Sequence, residues 1–273
     1  MESNELFSLK GKVIVVTGGT GILGGAFVKG IAAAGGIPVI LGRNREVAEQ
    51  RAAEIIAGGG DAMPVVADVL DEAAMGKAKD LIVEKYGRID GLVNSAGGNM
   101  PEGILQNDAD IFSMNIEGMK KAMVLNVWGT IIPTQVFGAV MAKNGGGSIV
   151  NISSVSSKQV VTKVLGYSMG KAAVDCYTQW FAVEMANRFG DAIRMNAIMP
   201  GFFLTEQNRT LLTNPDGSYT DRGNLVVKNT PFKRLGNPQE LVGALIYLLS
   251  DASRFVTGMQ LGVDGGFTVF SGV

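Results

Sequence analysis

Short runs of apolar and β-branched residues recur along the chain, and longer stretches with helical spacing separate them. The first run, at 12–17, is apolar on both faces, as in a strand buried within a parallel sheet. We predict strands at 12–17, 38–41, 63–67, 91–93, 148–152, 193–198 and 259–263, and helices at 24–34, 47–57, 73–86, 125–143, 167–189 and 238–249. Strands that alternate with helices imply right-handed crossovers, and so an α/β fold with a doubly wound parallel sheet and helices on both faces.

The segment 202–236 breaks this alternation. It carries the turn sequence Asn214-Pro215-Asp216-Gly217 among scattered polar residues. In compact domains, segments of this length without a regular pattern are usually functional lids or disordered. Because no internal repeat or linker divides the chain, we predict a single domain over residues 1–273 with a substrate lid at about 202–236.

Composition and charge favour a folded protein that binds a small molecule. Hydrophobic residues make up 47% of the 273 residues and charged residues 18%, which supplies ample apolar surface for a core. The net charge of −1 indicates neither nucleic-acid binding nor attraction to acidic membranes. No signal segment opens the sequence, and Gly or Pro interrupts the apolar runs before membrane-spanning length. We therefore expect a cytoplasmic protein.

Two residue types limit the possible chemistry. The single cysteine, Cys176, excludes an internal disulfide framework and fits a reducing compartment. The chain has no histidine, so it lacks the commonest catalytic base and the commonest zinc ligand. These absences exclude a Ser-His-Asp hydrolase, and we predict no metal site.

A glycine-rich turn lies between the first predicted strand and the first predicted helix. Gly19, Gly21 and Gly24 give the spacing G-x-G-x-x-G in the context that a dinucleotide fingerprint requires. Glycines permit a tight turn and close approach of the backbone to a pyrophosphate at the helix N-terminus. An ordinary glycine-rich connection is the alternative; no Gly-Lys-Ser/Thr follows, which argues against a P-loop. The cofactor candidates in this turn are Gly18, Gly19, Thr20, Gly21, Ile22 and Gly24.

The ends of the next strands bear on the choice of cofactor. After the second strand the chain reads Leu41-Gly42-Arg43-Asn44-Arg45, without the carboxylate that would bind the ribose of NAD. Arg43 can instead accept the 2′-phosphate of NADP, although a solvated surface arginine would look the same. Asp68 follows the third strand, where it could bind the cofactor or cap a helix. The run 94–97 follows the fourth strand, at the edge where such sheets bind ligands.

Tyr167 and Lys171 form a Y-x-x-x-K pair, thirteen residues after Ser154. On a helix, residues i and i+4 share one face, so the ammonium of Lys171 lies beside the phenol of Tyr167. We expect the cation to lower the pKa of the phenol, which could then act as a general acid or base.

In these residues the chain resembles the short-chain dehydrogenase/reductase family over nearly its whole length. The matching positions are 17–24, Asp68 with Val69, Asn94-Ser95-Ala96-Gly97, Asn126, Ser154, Tyr167 with Lys171, and Pro200-Gly201 with Thr205. The resemblance implies a Rossmann-type sheet, an NAD(P)(H) cofactor and a homodimer or homotetramer. Cofactor contacts are implied for Asp68, Val69, Asn94, Ala96, Gly97, Tyr167, Lys171, Pro200, Gly201 and Thr205. One departure is Ile22, where most single-domain members carry glycine.

The family resemblance also implies roles for a catalytic tetrad. Tyr167 would exchange a proton with the substrate oxygen while the nicotinamide gives or takes a hydride, and Ser154 would hydrogen-bond that oxygen. Lys171 would lower the phenol pKa and bind the nicotinamide ribose, and Asn126 would hold a water that connects Lys171 to solvent. Each of the four also has an ordinary structural interpretation when it is taken singly.

Within the family, the chain is most similar to the D-mannonate oxidoreductase (fructuronate reductase) group. The similarity lies in the runs 94–99, 214–224, 263–267 and 271–273. It implies interconversion of D-mannonate and D-fructuronate with NAD(H), whereas Arg43 favours NADP. The alternatives are a gluconate 5-dehydrogenase, a 3-oxoacyl-carrier-protein reductase and, in another class, a non-catalytic NAD(P)-sensing protein.

A sugar-acid substrate needs a cation for its carboxylate and amides or hydroxyls for its polyol. Four side chains near the predicted pocket could supply these groups, although each could equally be solvated surface. They are Asn99, Lys158, Lys163 and Arg209.

Overall fold

The computed structural model describes residues 3–106, 108–205 and 208–272, and the side chains of all of these except Ser3 and Asn4. The strands are β1 (Val13–Thr17), β2 (Ile37–Gly42), β3 (Met63–Val66), β4 (Gly91–Asn94), β5 (Gly147–Ile152), β6 (Ile193–Pro200) and β7 (Gln260–Val263). Within the described residues they form one parallel sheet in the order β3-β2-β1-β4-β5-β6-β7. The predicted α/β fold with a doubly wound sheet is confirmed.

Helices connect the strands and cover both faces of the sheet. They are α1 (Ser3–Leu6), α2 (Ile22–Ala33), α3 (Arg45–Ala57), α4 (Glu72–Tyr86), α5 (Ile116–Lys143), α6 (Leu165–Phe189), α7 (Arg209–Leu212), α8 (Asp221–Asn229) and α9 (Val242–Leu249). Short 3-10 turns add Pro101–Gly103, Ile111–Ser113, Val155–Ser157, Pro238–Leu241 and Asp251–Ser253.

The two faces of the sheet carry two hydrophobic clusters. Along β1, Val13 and Val15 point into one cluster with α4, α5 and α6, whereas Ile14 and Val16 point into the other with α2, α3 and α9. Successive side chains of a strand face opposite sides, so a strand buried on both sides is apolar at consecutive positions. This burial explains the unbroken apolar runs of the sequence.

Helix α5 begins earlier than its predicted start at Leu125. Its first residue is Ile116, and the Asn115 side chain caps the helix by accepting a hydrogen bond from the Gly118 backbone. Glu117, Lys120 and Lys121 are exposed in these turns, so polar residues interrupt the apolar pattern on which the sequence prediction depended. Pro133 stands inside α5 on a buried face, not in its early turns.

Helix α5 is the one helix in the described part of the chain that is long and apolar enough to cross a membrane by length and composition alone. Half of its apolar window is buried inside the protein. Phe137 and Met141 of this helix belong to the core beneath β4 and β5. Its packing in the interior accounts for its composition.

The predicted lid region contains two short helices, α7 and α8, which the sequence did not indicate. Leu212 is buried, and an antiparallel bridge joins Thr213 to Tyr219 around the predicted turn at 214–217. The two ends of the region meet where Phe203 bridges Gly236. Residues 206 and 207 of the lid, and Val273 of the C-terminal run, lie outside the described residues.

A buried chain of hydrogen bonds links the centre of the sheet to α5 and α6. The Asn94 amide donates to Thr134 Oγ1 at 2.9 Å and to Asn151 Oδ1 at 2.8 Å. The Asn151 amide donates to Thr178 Oγ1 at 2.9 Å. Since Asn94 and Asn151 are almost wholly buried, each of these bonds satisfies a group that would otherwise be desolvated without a partner.

We expect Asn151→Ala to lower the free energy of unfolding by about 1–3 kcal/mol, because it removes one of the two acceptors of the buried Asn94 amide. Urea unfolding measures the change. Asn229→Ala, on the exposed side of α8, is the matched control and should stay within about 0.5 kcal/mol of the wild type. Equal effects of the two substitutions would contradict the assignment.

Candidate active site

A cleft opens at the carboxyl ends of the central strands, next to the point where the strand order reverses between β1 and β4. In open α/β sheets this crevice is where ligands bind. The cavity volume of the cleft is about 190 Å³. Its walls are formed by Leu23, Ser95, Gly97, Gly98, Asn99, Ile152, Ser153, Ser154, Val155, Ser156, Val161, Val164, Tyr167, Lys171, Pro200, Gly201, Phe202, Phe203, Thr205, Asn208, Leu211, Leu212 and Arg222.

The glycine turn is too tightly packed to carry side chains at two positions. Gly18 has φ +64°, and a Cβ there would lie 2.9 Å from the Ala96 backbone nitrogen. A Cβ at Gly24 would lie 2.1 Å from the Gly18 carbonyl oxygen. The turn leads directly into α2, so it forms the close backbone cradle that a pyrophosphate requires.

Arg51 of α3 hydrogen-bonds to the opposite side of this turn. The sequence did not indicate this contact. The Arg51 guanidinium donates to the carbonyls of Gly19 and Gly21, the latter at 2.9 Å. Burial lowers the pKa of Arg51 from its ordinary value. Ile22 lies on this side, in a surface groove shared with Arg51, whereas its neighbour Leu23 lines the cleft. The residue at 22 therefore faces away from the cleft.

At the end of β2 the structure explains the missing carboxylate. A Cβ at Gly42 would lie 2.5 Å from Thr20 Oγ1, so the Thr20 side chain fills the space that a larger residue would need. The next residue, Arg43, has 80% of its side chain exposed and lies 3.8 Å from the Asp68 carboxylate. Asp68 also accepts a hydrogen bond from the Leu70 backbone.

The loop after β4 is held from both sides. Thr17 Oγ1 accepts hydrogen bonds from the Ser95 and Ala96 backbones at 3.1 and 3.2 Å. A Cβ at Gly97 would lie 2.6 Å from Asn126 Oδ1 and 3.2 Å from Lys171 Nζ. This glycine is therefore necessary where the loop crosses the tetrad.

Many of the predicted cofactor residues are not among the residues of the cleft wall, and Asn94 and Val69 are two of them. The side chain of Asn94 points into the buried network beneath it, and Val69 packs in the core against α5. By contrast Pro200, Gly201 and Thr205 lie in the wall, as the sequence led us to expect.

Three residues of the predicted tetrad meet in the wall of the cleft. Ser154, at the end of β5, accepts hydrogen bonds from the backbone and hydroxyl of Ser156 at 3.2 and 3.1 Å. Tyr167 lies half-buried in the first turns of α6. Lys171 follows one turn later, 5% exposed, with its ammonium 5.6 Å from the centre of the Tyr167 ring.

The electrostatics of the pair differ from the sequence expectation. Burial raises the pKa of Tyr167 above its ordinary value, and the group that opposes this rise is the Ser154 hydroxyl rather than the Lys171 ammonium. Burial lowers the pKa of Lys171 to about 8, and the Asp175 carboxylate acts in the opposite direction. The ammonium donates to the Ile152 carbonyl at 2.7 Å instead of to the phenol.

Asn126, the fourth predicted member, is fully buried within α5. Its amide oxygen accepts from the Gly98 backbone at 3.1 Å, and its amide nitrogen donates to the carbonyls of Gly98 and Ala122. The side chain therefore fastens the loop after β4 to α5. Its predicted role in holding a water stays a prediction.

Of the four substrate candidates, only Asn99 lines the cleft. Lys158 is ion-paired with Asp175 at 3.3 Å, outside the wall. Lys163 adopts a left-handed backbone with φ 76°, and its carbonyl accepts from Leu105. Arg209 is exposed on α7 and is also absent from the described wall.

The wall contains an arginine that sequence reasoning did not single out. Arg222, in the first turn of α8, donates to the Thr162 hydroxyl at 3.2 Å and to the Thr162 carbonyl at 3.1 Å. Asn208 and Ser156 add further polar groups to the same wall. The available signal for Arg222 was its position in the polar lid segment, which does not distinguish it from other charged residues there.

In the described part of the chain, no cluster of three or more His, Cys, Asp or Glu side chains could hold a metal ion.

The family model described as enoyl-(acyl carrier protein) reductase matches residues 20–268. The chain belongs to the short-chain dehydrogenase/reductase family. An uncharacterised oxidoreductase of Bacillus subtilis, UxuB, is 40% identical over 97% of this chain and 98% of its own. The family therefore accounts for the order of the motifs along the whole chain.

Two solved structures of this family share the fold. A Haemophilus protein with bound NAD, provisionally described as a D-mannonate oxidoreductase, is 37% identical with TM-score 0.90 and full coverage of both chains. A gluconate 5-dehydrogenase from Burkholderia cenocepacia, in complex with NADP and tartrate, is 33% identical with TM-score 0.86, covering 98% and 99% of the two chains. The present chain is thus an NAD(P)-dependent oxidoreductase that acts on alcohol or carbonyl groups.

We expect Tyr167→Phe to lower kcat/KM at least about 100-fold with any substrate that the wild type turns over, because it removes the proton donor. Cofactor affinity, measured by NAD(P)H fluorescence, should change little. Tyr86→Phe, remote from the cleft on α4, is the control and should keep full activity. Unchanged turnover by Tyr167→Phe would refute the role of the phenol.

Proposed function

We propose that the protein interconverts D-fructuronate and D-mannonate, reducing the keto sugar acid with a nicotinamide cofactor and oxidising the product in reverse. The observation that carries this proposal is the position of Arg222 in a cleft wall rich in amides and hydroxyls. We further propose that residues 202–236, within a single catalytic domain, serve as the lid over that substrate.

The cations of the cleft support an anionic substrate. Among the described residues of the wall, Lys171 and Arg222 are the two that carry positive charge. Lys171 is buried and bonded to the Ile152 carbonyl, whereas Arg222 bonds to the neutral groups of Thr162. Because a guanidinium binds a carboxylate with two parallel hydrogen bonds, Arg222 is the candidate for the substrate carboxylate.

The polar groups nearby suit the hydroxyls of a sugar. Asn99, Ser156, Thr205 and Asn208 line the same cleft as Arg222. A site built to hydrogen-bond hydroxyls rejects analogues that lack them, because its own polar groups then lose their partners. An acyl chain would leave these groups unsatisfied, which argues against a 3-oxoacyl-carrier-protein reductase.

In the proposed mechanism the protein positions and protonates the substrate oxygen. Ser154 hydrogen-bonds that oxygen, and Tyr167 gives it a proton during reduction or takes one during oxidation. The Lys171 ammonium, which donates to the Ile152 carbonyl and not to the phenol, would bind the cofactor ribose and keep its charge near Tyr167. A bound nicotinamide supplies or accepts the hydride at the substrate carbon. The cleft walls hold the substrate in line with this transfer.

Two known structures support the substrate class. The Haemophilus neighbour is described as a D-mannonate oxidoreductase, and the Burkholderia neighbour holds tartrate, a small hydroxy acid. The second neighbour makes gluconate 5-dehydrogenase the main alternative, since gluconate would satisfy the same arginine and hydroxyl-binding groups. A purely NAD(P)-sensing protein would leave Ser154, Tyr167 and Lys171 without a reason to converge in the cleft.

For the cofactor, we propose that Arg43 recognises the 2′-phosphate of NADP(H). The Thr20 side chain excludes a carboxylate from position 42, so no acidic group at that position would repel a phosphate. Arg43 is exposed, and its distance of 3.8 Å from Asp68 leaves it loosely paired. The NAD bound to the Haemophilus neighbour favours the other choice, which the assay below distinguishes.

We also propose a homo-oligomer that buries the outer faces of α5 and α6. Val136, Val140 and Phe181 pack against the core of one chain, and Phe137 is fully buried. The exposed apolar side chains of the pair are different ones, and large exposed apolar patches mark interaction surfaces. Val124, Trp128, Trp180 and Val183 are among them, with 43–61% of each residue exposed. The cytoplasmic location stays a prediction.

Purified protein should oxidise NAD(P)H rapidly with D-fructuronate, and much more slowly with neutral keto sugars.

We expect Arg222→Gln to lower kcat/KM for D-fructuronate by about 10- to 100-fold, the value of a hydrogen bond to a charged group. Arg188→Gln, at the far end of α6, is the matched control. Turnover of 5-keto-D-gluconate or another keto acid in place of D-fructuronate would keep the role of Arg222 and replace the substrate. An Arg222→Gln variant with the wild-type kcat/KM would refute the proposal that Arg222 binds the substrate carboxylate.

The cofactor proposal has its own test. We expect the wild type to prefer NADPH to NADH, and Arg43→Ala to weaken NADPH binding by about 10-fold or more while NADH binding stays unchanged. Fluorescence titration of both cofactors measures the ratio. Arg45→Ala, the exposed neighbour that pairs with Glu49, is the control. A wild type that binds NADH more tightly would overturn the proposal.

A further inference from the structure

A buried carboxylate lies behind the tetrad, and the mechanism above does not use it. Asp175 stands on α6 one helical turn after Lys171 and two turns after Tyr167. The residue is 4% exposed. Burying an ionised carboxylate costs free energy unless partners compensate for the lost water. The partners of Asp175 therefore indicate what it stabilises.

One partner connects Asp175 to the turn that carries Ser154. The Ser157 hydroxyl lies 2.6 Å from Asp175 Oδ2 and 2.8 Å from the Ser154 carbonyl. The Ser157 backbone also donates to the Ser154 carbonyl at 3.0 Å. Because a hydrogen bond to a charged acceptor is the stronger kind, the carboxylate anchors Ser157 and, through it, the Val155–Ser157 turn.

The second set of interactions of Asp175 is with charged side chains. Asp175 pairs with Lys158 at 3.3 Å from the solvent side, and its field favours the charged form of Lys171 from within α6. Its other oxygen, Oδ1, is buried and has no hydrogen-bond partner. The carboxylate thus lies one helical turn from Lys171 with part of its hydrogen-bonding capacity unused.

We propose that Asp175 is a positioning residue of the active site, which keeps the Lys171 ammonium charged and holds the turn that presents Ser154. This inference rests on the catalytic role proposed for Lys171. Asp175 would support the four residues of the tetrad by acting through Lys171 and Ser154, without touching the substrate.

The surroundings of Lys171 make the sign of the effect clear. The titratable groups that face it in the described structure are Tyr167 and Asp175 on α6, with Lys158 behind Asp175 on the turn after β5. The loop after β4 and helix α5 meet it with uncharged groups of Gly97 and Asn126. Burial lowers the pKa of Lys171 to about 8, and Asp175 opposes that fall. Removal of the carboxylate therefore lowers the pKa further.

The test compares three substitutions, two at Asp175 and one at Lys158. Asp175→Asn removes the negative charge and keeps the shape, so the alkaline fall of kcat/KM for carbonyl reduction should move to lower pH by roughly half a unit to one unit. Lys158→Gln removes the cation that competes for Asp175, so the same fall should stay in place or move to higher pH. Asp175→Glu keeps the charge and should leave the fall near its wild-type position.

A readout without substrate separates this inference from the proposed function. Nitrogen-15 NMR of lysine-labelled protein, with the Lys171 signal assigned by Lys171→Arg, gives the titration of the ammonium directly. A shift of that titration to lower pH in Asp175→Asn supports the inference even if D-fructuronate is not the substrate. Loss of activity at every pH in both variants, or a Lys171 titration that does not move in Asp175→Asn, would overturn it.

Discussion

The hydroxyl of Thr17 is the contact on which the geometry of the site depends. From the end of β1 it accepts hydrogen bonds from two successive backbone groups after β4, Ser95 and Ala96. This contact sets the separation of the glycine turn and the β4 loop, the two sides of the crevice where the sheet order reverses. The loop then continues to Gly97 and Gly98, which contact Asn126 and Lys171. A single side chain therefore connects the cofactor cradle to the catalytic residues.

Close backbone approach is the second constraint. Gly18, Gly24 and Gly97 each stand where a β-carbon would lie within 3 Å of another part of the site. The same argument applies at Gly42, whose missing side chain makes room for Thr20. In this protein the absence of side chains shapes the cofactor cleft as much as their presence does, since the cradle is built from backbone that must come close.

The sequence predicted the sheet and the proximity of Tyr167 to Lys171 because both depend on local patterns. Strands buried on both faces are apolar at every position, and Tyr167 and Lys171 are neighbours on one helix. The start of α5 was missed because polar residues interrupt the apolar pattern in its first turns. Arg222 and Asp175 were missed because their significance comes from distant contacts, with Thr162 and with Ser157, that no spacing encodes. Asn94 matched a family position, yet its side chain faces inward because β4 alternates direction at each residue.

The burial of Lys171 affects the pH range in which the cleft takes up or releases a proton. The chain has no histidine, so no side chain in the cleft has an ordinary pKa between 5 and 8. With its pKa near 8, Lys171 is the group of the described cleft wall that titrates closest to neutrality. Ligands that enter the cleft and displace water around this ammonium will change its proton occupancy, so their binding is coupled to proton uptake or release in that range. Ligand binding in the cleft is thus coupled to the protonation of one lysine, whereas many enzymes use a histidine imidazole for such coupling.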